Sequence, residues 1–534
     1  MKKPSDDTGK IARSAGTVSF AVMCSRALGL VREQVFAAMF GAGFAYDSFV
    51  VAFRIPNLLR DLFGEGALSA AFVAVFSDYD TNKGKEETWR LAGNVLVFIT
   101  ILLSIITLAG ILFAEPIVRL LAPDFALISN KVALTRNLTV IMFPFLIFIS
   151  LSAVVMGILN TKGRFFMPSM ASAFFNLGSI VGGVGLALVL PGFGLPAIVG
   201  MACGTLIGGF LQFACQIPAL KRTGFVFMPG LDLSDPGLIR VLKLMAPAII
   251  GLSATQINIF VNTNFAASCV EGSVSWLNYA FRLVQFPIGV FGVAVSIATL
   301  PIISRYAAQK DMTRLKETYV SSLTITFSLT IPATVGLVLL AQPIIRIIFE
   351  HGAFSSYDTS MTAQALCFYA IGLFAYSSVK VMVPVFYALD NTRYPVIGSF
   401  LAVGANIVII LMTIDLYQHR AIALSVSCSM ILNFIFLSIV LYRKLSGYSL
   451  SYLATGLFKV VFASILMGVW LYGLQTWLKG FMEQSFAGGI AALFASIFTG
   501  AALYAAALHF LRLREFAFIT EKVRERVRGM MNYE

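Results

Sequence analysis

Tyr46-Asp47-Ser48-Phe49-Val50-Val51-Ala52-Phe53-Arg54-Ile55-Pro56-Asn57-Leu58-Leu59-Arg60-Asp61-Leu62-Phe63-Gly64 is a helix-length apolar run that carries four charges. Its aliphatic and aromatic side chains belong in a bilayer, yet Arg54 and Arg60 sit where hydrocarbon should be. A charged side chain at the centre of a membrane helix costs roughly 2.5–3.5 kcal/mol. The same conflict recurs at Arg26 and Arg32 upstream and at Arg282 downstream. Five arginines in such places must face one another, water or a ligand. Guanidinium stays protonated and forks onto phosphate or carboxylate oxygens, so the pattern predicts an anion receptor at membrane depth.

The rest of the chain agrees with a membrane setting. Of 534 residues, 58% are hydrophobic and 12% charged, with a mean hydropathy of +0.86. Charge is far below the roughly 25% of a soluble domain. Most apolar runs reach the 18 or more residues needed to cross roughly 30 Å of hydrocarbon. The expected fold class is an all-α polytopic membrane protein with about fourteen spans: 14–39, 46–77, 91–115, 132–159, 166–190, 195–220, 241–269, 274–304, 318–341, 359–389, 395–414, 421–441, 453–478 and 487–511.

Lys and Arg gather at alternate loops, from Lys2, Lys3, Lys10 and Arg13 through Lys83, Lys85 and Arg90 to the tail after Arg512, whereas the opposite loops hold few, among them Arg119, Lys131, Arg136 and Arg346. This bias predicts cytoplasmic termini on both ends and an even number of spans. The first apolar run is too long and too charged for a cleavable signal, and reads as the first membrane helix. The net charge of +13 is spread over short loops, as membrane-surface charge is, and no nucleic-acid partner is expected. Six scattered cysteines read as small hydrophobes, and three distant histidines lack ligand spacing, so neither a metal nor a cofactor is expected.

An internal repeat organises the chain. Ala52-Phe53-Arg54 recurs as Ala280-Phe281-Arg282 and Phe63-Gly64 as Phe291-Gly292, both at a shift of 228. Pro116-Ile117-Val118-Arg119 recurs as Pro343-Ile344-Ile345-Arg346, shifted by 227, and Leu159, Arg164 and Phe165 resemble Leu389, Arg393 and Tyr394. Six spans fit in one period, so the copies run parallel about an axis along the membrane normal. The expected domains are an N-terminal six-helix lobe within 1–222, a linker at 223–237, a second lobe at 238–446, and helices 13 and 14 with a basic tail at 447–534. Lobes of this kind commonly rock about a central cavity.

The candidate site follows from spacing. Arg26, Arg32 and Glu33 fall at i, i+6 and i+7, as do Arg54, Arg60 and Asp61, so each helix offers cations at two depths about 9 Å apart. The acid at i+7 is expected to return to the first arginine's face. Pro56, Gly64 and Gly66 predict a bend or unwinding in the second span, tolerated where backbone lines a cavity. A purely structural reading, in which these charges knit two helices, accounts for part of the set. It leaves unexplained the excess of arginine, five against the four acids Glu33, Asp47, Asp61 and Glu65. Lys380 carries two readings, snorkelling to an interface or completing the positive cavity.

Ser25-Arg26-Ala27-Leu28-Gly29-Leu30-Val31-Arg32, Gly41-Ala42-Gly43 to Asp47, Ala52-Phe53-Arg54-Ile55-Pro56-Asn57-Leu58-Leu59-Arg60 and Glu65-Gly66-Ala67 together resemble the MurJ/MviN lipid II flippases. Ser275-Trp276, Tyr279-Ala280, Arg282-Leu283, Phe286-Pro287 and Gly289-Val290 extend the resemblance, which covers essentially the whole chain. It implies a bacterial cytoplasmic-membrane transporter of the multidrug/oligosaccharidyl-lipid/polysaccharide exporter superfamily. The substrate and partner would be lipid II, within membrane lipids and with the protein acting as a monomer. The family's arginines carry over to Arg26, Arg32, Arg60 and Arg282, its helix-two basic position, where related sequences can hold lysine, to Arg54, and its acids to Asp47 and Glu65. Ser25, Glu33, Asp61 and Gln285 are supporting groups and Pro287 a hinge. Where some members carry acids beside the helix-eight arginine, this chain has Phe281 and Gln285. Energy coupling to the membrane potential or to a counter-moving cation is expected without an assigned site. Competing classes are a flippase for another polyprenyl-pyrophosphate glycan, a drug or cation exporter, which would want membrane carboxylates rather than arginines, and a membrane enzyme, for which no catalytic cluster is present.

Overall fold

The computed structural model describes residues 6–64 and 66–517; Glu65 and the basic tail beyond 517 lie outside the described residues. Helices follow one another along the chain: α1 (Asp6–Phe40), α2 (Phe44–Phe63), α3 (Ala67–Asn82), α4 (Lys85–Leu112), α5 (Ala114–Leu121), α6 (Lys131–Met142), α7 (Phe145–Thr161), α8 (Phe166–Val189), α9 (Ala197–Ala214), α10 (Ile217–Lys221) and α11 (Pro236–Ala267). Then come α12 (Ser273–Pro287), α13 (Ala294–Ala308), α14 (Met312–Leu339), α15 (Ala341–Phe349), α16 (Ser356–Ile371), α17 (Leu373–Ala388), α18 (Arg393–Tyr417), α19 (His419–Lys444), α20 (Leu450–Gln484) and α21 (Phe486–Phe510). The protein is an all-α polytopic membrane protein.

Among the described residues ten helical spans are long and apolar enough to cross a bilayer, or twelve if each of two bent pairs counts once. The bent pairs are Pro236–Ile249 with Gly251–Ala267, at 48°, and Ser356–Ile371 with Leu373–Ala388, at 43°. These twelve overlap twelve of the fourteen expected spans. The other two, 14–39 and 46–77, carry two of the five arginines each, Arg26 with Arg32 and Arg54 with Arg60. Helix α2 falls short because any 18 of its residues contain Asp47, Arg54, Arg60 and Asp61.

By contacts the chain forms two compact units: one runs through Ser275 and includes His351–Phe354, and the other takes Trp276–Glu350 and the chain from Ser355 onward. The first unit's core is α3, α4, α7 and the start of α11, around Phe72, Phe76, Trp89, Val154 and Leu238. Beside it α8 and α9 pack through glycine: a Cβ on Gly204 would lie 2.5 Å from Gly183 Cα. Small residues let membrane helices approach closely, because lipid offers no hydrophobic drive to association. The segment expected as a linker is held down. Asn94 exchanges two hydrogen bonds with the Asp232 backbone, at 2.8 and 3.0 Å. Phe225 meets Trp89 edge-on at 5.3 Å. Helix α11 then starts on Pro236, capped by the Asp235 carboxylate, which accepts from Leu238 N at 2.8 Å.

The second unit centres on α14, α17 and α19, around Tyr319, Met382, Phe386 and Leu437. The C-terminal pair, α20 and α21, seats against α14 through Val335 and Leu339. Gln475 Nε2 donates to the Leu339 carbonyl at 2.9 Å and Tyr504 OH to the Ser328 carbonyl at 2.7 Å. Inside a bilayer such polar contacts satisfy groups that lipid could not.

The sequence repeat has structural counterparts. Pro116–Arg119 lies in α5 and Pro343–Arg346 in α15, each a short helix directly after a long one. Phe63-Gly64 ends α2, and Phe291-Gly292 lies in a π-helical turn, Ile288–Val293, between α12 and α13. The first copy thus ends its helix where the second widens into a π-turn and continues as one helical span, Ser273–Ala308.

Candidate functional site: charges on helices 1, 2, 6 and 12

Helix α1 brings Arg26 and Arg32 beside α8, where Asn176 Nδ2 donates to the Ser25 carbonyl at 3.1 Å. Arg26 is exposed and Ser25 half-buried. The Arg32 side chain is 11% exposed and donates to Glu33 Oε1 at 2.7 Å. Its guanidinium also lies 5.3 Å from the Phe175 ring and 5.9 Å from Phe36. Aromatic faces favour a cation in such a setting. Glu33 is buried and accepts in addition from Tyr46 OH at 3.0 Å.

Helix α2 repeats the arrangement. Arg60 donates through Nε and Nη2 to Asp61 Oδ1, at 3.1 and 2.8 Å. Asp61 Oδ2 accepts from Gln256 of α11 at 3.3 Å. Both acids thus take hydrogen bonds from the arginine immediately before them, where the i+7 spacing pointed to Arg26 and Arg54. A guanidinium stem is long enough to curl back along its own helix, which the spacing argument leaves out. Arg54 is half-buried midway along α2.

The expected unwinding falls at Gly64–Gly66, after Phe63, while Pro56 stays buried inside the helix. Gly64 N still donates to the Arg60 carbonyl at 2.7 Å. A Cβ on Gly66 would lie 2.3 Å from the Asp61 carbonyl oxygen, so the turn has room for glycine alone.

Asp47 occupies the most heavily bonded place. It is 2% exposed in the first turn of α2. Its carboxylate accepts from Gly272 N at 2.9 Å, Ser275 N at 3.0 Å, Ser275 Oγ at 2.5 Å and Lys131 Nζ at 3.2 Å. The amides open α12, so Asp47 caps that helix from outside it, where the positive end of the helix dipole favours an anion. Glu271, just before α12, in turn accepts from Phe44 N at the start of α2, at 3.1 Å. Lys131, Tyr46, Gln256 and Glu271 were not singled out as site residues from sequence. Lys131 read as one more loop lysine, and only its fall inside the α6 pattern could have flagged it.

In the second unit Arg282 and Gln285 are exposed on α12, and Pro287 ends that helix at the π-turn. Lys380 is exposed on α17, and its carbonyl accepts from Ser296 Oγ at 2.8 Å. Trp276 Nε1 donates to Asp358 Oδ1 at 2.9 Å, which sets the start of α12 against α16. The structure thus groups Arg32 with Glu33, Arg60 with Asp61, and Asp47 with Lys131; Glu65 lies outside the described residues.

Long apolar helices with charge paired among them, one ending at Gly64 and one widening to a π-turn at the repeat-related position, define the class of multi-pass membrane transporters. A solved multidrug MATE transporter in an inward-facing conformation shares this fold, with a TM-score of 0.67 at 17% identity over 79% of this chain and 94% of that one. A family profile described as "Lipid II flippase MurJ" matches residues 36–491. The "Probable lipid II flippase MurJ" of Vibrio cholerae is 33% identical over 529 residues, covering 96% of this chain and 98% of that protein. The like-named Buchnera aphidicola protein is 33% identical over 507 residues, covering 94% and 97%. A solved structure titled "Lipid II flippase MurJ, inward closed conformation" matches with a TM-score of 0.76 at 27% identity, over 93% of this chain and 99% of that one. The chain belongs to the MurJ lipid II flippase family and is a transporter rather than an enzyme.

Proposed function

We propose that this chain carries lipid II, the undecaprenyl-pyrophosphate-linked peptidoglycan precursor, from the cytoplasmic to the outer leaflet of the bacterial inner membrane by alternating access, with both termini cytoplasmic. The observation that carries this reading is the correspondence to MurJ relatives over nearly the whole of both chains. Arg26, Arg32, Arg54, Arg60 and Arg282 are the groups that would hold the pyrophosphate. Their chemistry suits it: guanidinium forks match paired phosphoryl oxygens, and Arg26 and Arg282 are exposed on apolar helices. Glu33 and Asp61 orient the Arg32 and Arg60 guanidinium groups by hydrogen bonds at 2.7 and 2.8 Å. The end of α2 at Gly64 and the π-turn that follows Pro287 supply positions where α2 and α12 can bend.

Outward movement of an anionic pyrophosphate is favoured by an inside-negative potential, by roughly 2.3 kcal/mol per charge for each 100 mV crossed. Counter-movement of a cation would then help to reset the carrier. The test is growth of cells depleted of their own lipid II flippase. Wild-type protein restores growth, and Arg26→Ala, Arg60→Ala and Arg282→Ala, each present in the membrane at normal level, do not. Rescue by all three alanine variants would refute the arginine site.

A further inference from the structure

Lys131 is 1% exposed at the start of α6, a burial lysine reaches only with a partner. Its Nζ lies 3.2 Å from Asp47 Oδ2 and 4.0 Å from Glu271 Oε2. The rings of Phe125 and Phe44 flank it, at 4.3 and 5.7 Å. The two carboxylates do complementary work. Asp47, on α2, takes the amides that open α12, and Glu271, just before α12, takes an amide that opens α2. Each helix start is therefore capped by an acid from the other's stretch of chain, and one ammonium stands near both acids.

We propose that Lys131 is a positioning residue for transport: its charge holds this reciprocal capping together and sets how often the start of α12 parts from the start of α2. Two carboxylates brought to one place repel each other, and the cation between them reverses that sign. An ammonium suits the task, as a compact point charge with three donors that reaches two acids from one stem. Without it, Asp47 would be a buried, uncompensated anion, and loss of one partner of a buried pair is strongly destabilising to the arrangement that buries the other. The capping would then open to water. This inference rests on the transporter reading above and on the charge bias that puts this end of the helices outside.

The test follows opening directly, in protein whose six cysteines have been replaced. Ser273→Cys, 1% exposed in the first turn of α12, reports opening through its rate of labelling by a membrane-impermeant maleimide on intact cells. Leu127→Cys, 84% exposed, reports which side the reagent reaches. If it labels only in inverted vesicles, the sidedness reading falls and the Ser273→Cys comparison is run there. Lys131→Met is expected to speed Ser273→Cys labelling about ten-fold or more. Adding Asp47→Asn should return the rate part of the way to the parent's, because the neutral amide needs no cation and its oxygen still accepts from Ser275 N and Oγ, although Gly272 N, bonded to the other carboxylate oxygen, loses its acceptor. Unchanged labelling in Lys131→Met overturns the proposal. If Lys131→Met does not accumulate, Lys131→Gln takes its place. Loss of both from the membrane, unrelieved by Asp47→Asn, also overturns it and leaves Lys131 as a folding residue. The labelling rate does not depend on which lipid is carried, so failure here and failure of the lipid II reading are separate results.

Discussion

Asp47 and Ser275 stand 228 positions apart, and the Ser275 amide and hydroxyl both donate to one Asp47 carboxylate oxygen, at 3.0 and 2.5 Å. That separation is the offset at which Ala52-Phe53-Arg54 recurs as Ala280-Phe281-Arg282. The first turn of α12 therefore lies against the first turn of α2, the helix that carries the matching repeat position. A neighbouring contact has the same tightness. Ala353 N donates to the Ala38 carbonyl at 2.8 Å, between Gly41 and Gly352, both at positive φ, where a Cβ would clash with the facing backbone oxygens.

Asp47→Ala is expected to destabilise the folded protein by about 3–5 kcal/mol, because it strands the Lys131 ammonium and leaves the α12 amides without their acceptor. Asp47→Asn in a Lys131→Met background should recover much of that loss. Thermal unfolding in detergent checks both statements, with wild type, Asp47→Asn, Lys131→Met and the double variant read as a double-mutant cycle and Asp47→Ala measured beside them; additivity of the two single changes would contradict the pairing.

At the α2–α3 break, Gly66→Ala has to displace both the Asp61 carbonyl, 2.3 Å from the would-be Cβ, and the Leu252 side chain, whose Cδ1 is 2.7 Å from it. Transport should fall markedly while protein still reaches the membrane. Gly251→Ala, with nothing within 4 Å of the added carbon, serves as the comparison and should transport normally.

Charge and geometry at the arginines separate by lysine substitution. Lysine keeps the charge and loses the fork. Arg26→Lys, Arg60→Lys and Arg282→Lys are therefore expected to fail in flippase-depleted cells, whereas Arg54→Lys should be tolerated. Membrane levels measured alongside keep misfolding from being read as inactivity. Full activity of the first three lysine variants would leave only an electrostatic funnel.

At the end of α3, the hydrogen bond from Arg240 to Asp78 holds the Asp78 carboxyl below its ordinary value near 3.8. A depressed value means that the pair's contribution is fully present above the ordinary aspartate range and is lost as pH falls through the lowered value. The pair is solvent-exposed, so the effect is small. The stability difference between wild type and Arg240→Gln should be constant from neutral pH to about 4 and shrink below it. A difference that grows on acidification would contradict the assignment.

Twelve of the spans, the break near Gly64 and the kinship of Pro116–Arg119 with Pro343–Arg346 were legible in the sequence, because apolar run length, glycine and internal similarity are local signals; that these two segments form the short helices α5 and α15 was not. The partners of the charges were not. Asp47 finds Lys131 across 84 positions and Ser275 across 228, and no periodicity within α2 encodes either choice. Lys131 could not be told from a surface lysine, since burial of a charge follows from what packs around it. The pairing of Glu33 with Arg32 likewise depends on side-chain reach, which helical spacing does not contain.

Transport is read without other cell components by purified protein in liposomes, with lipid II placed in one leaflet and its arrival in the other followed by a membrane-impermeant probe. Wild type is expected to translocate, faster when the potential favours outward movement of the anion, and Arg60→Lys and Arg282→Ala to do little more than empty liposomes. Equal translocation by wild type, these variants and empty liposomes would contradict the proposed transport.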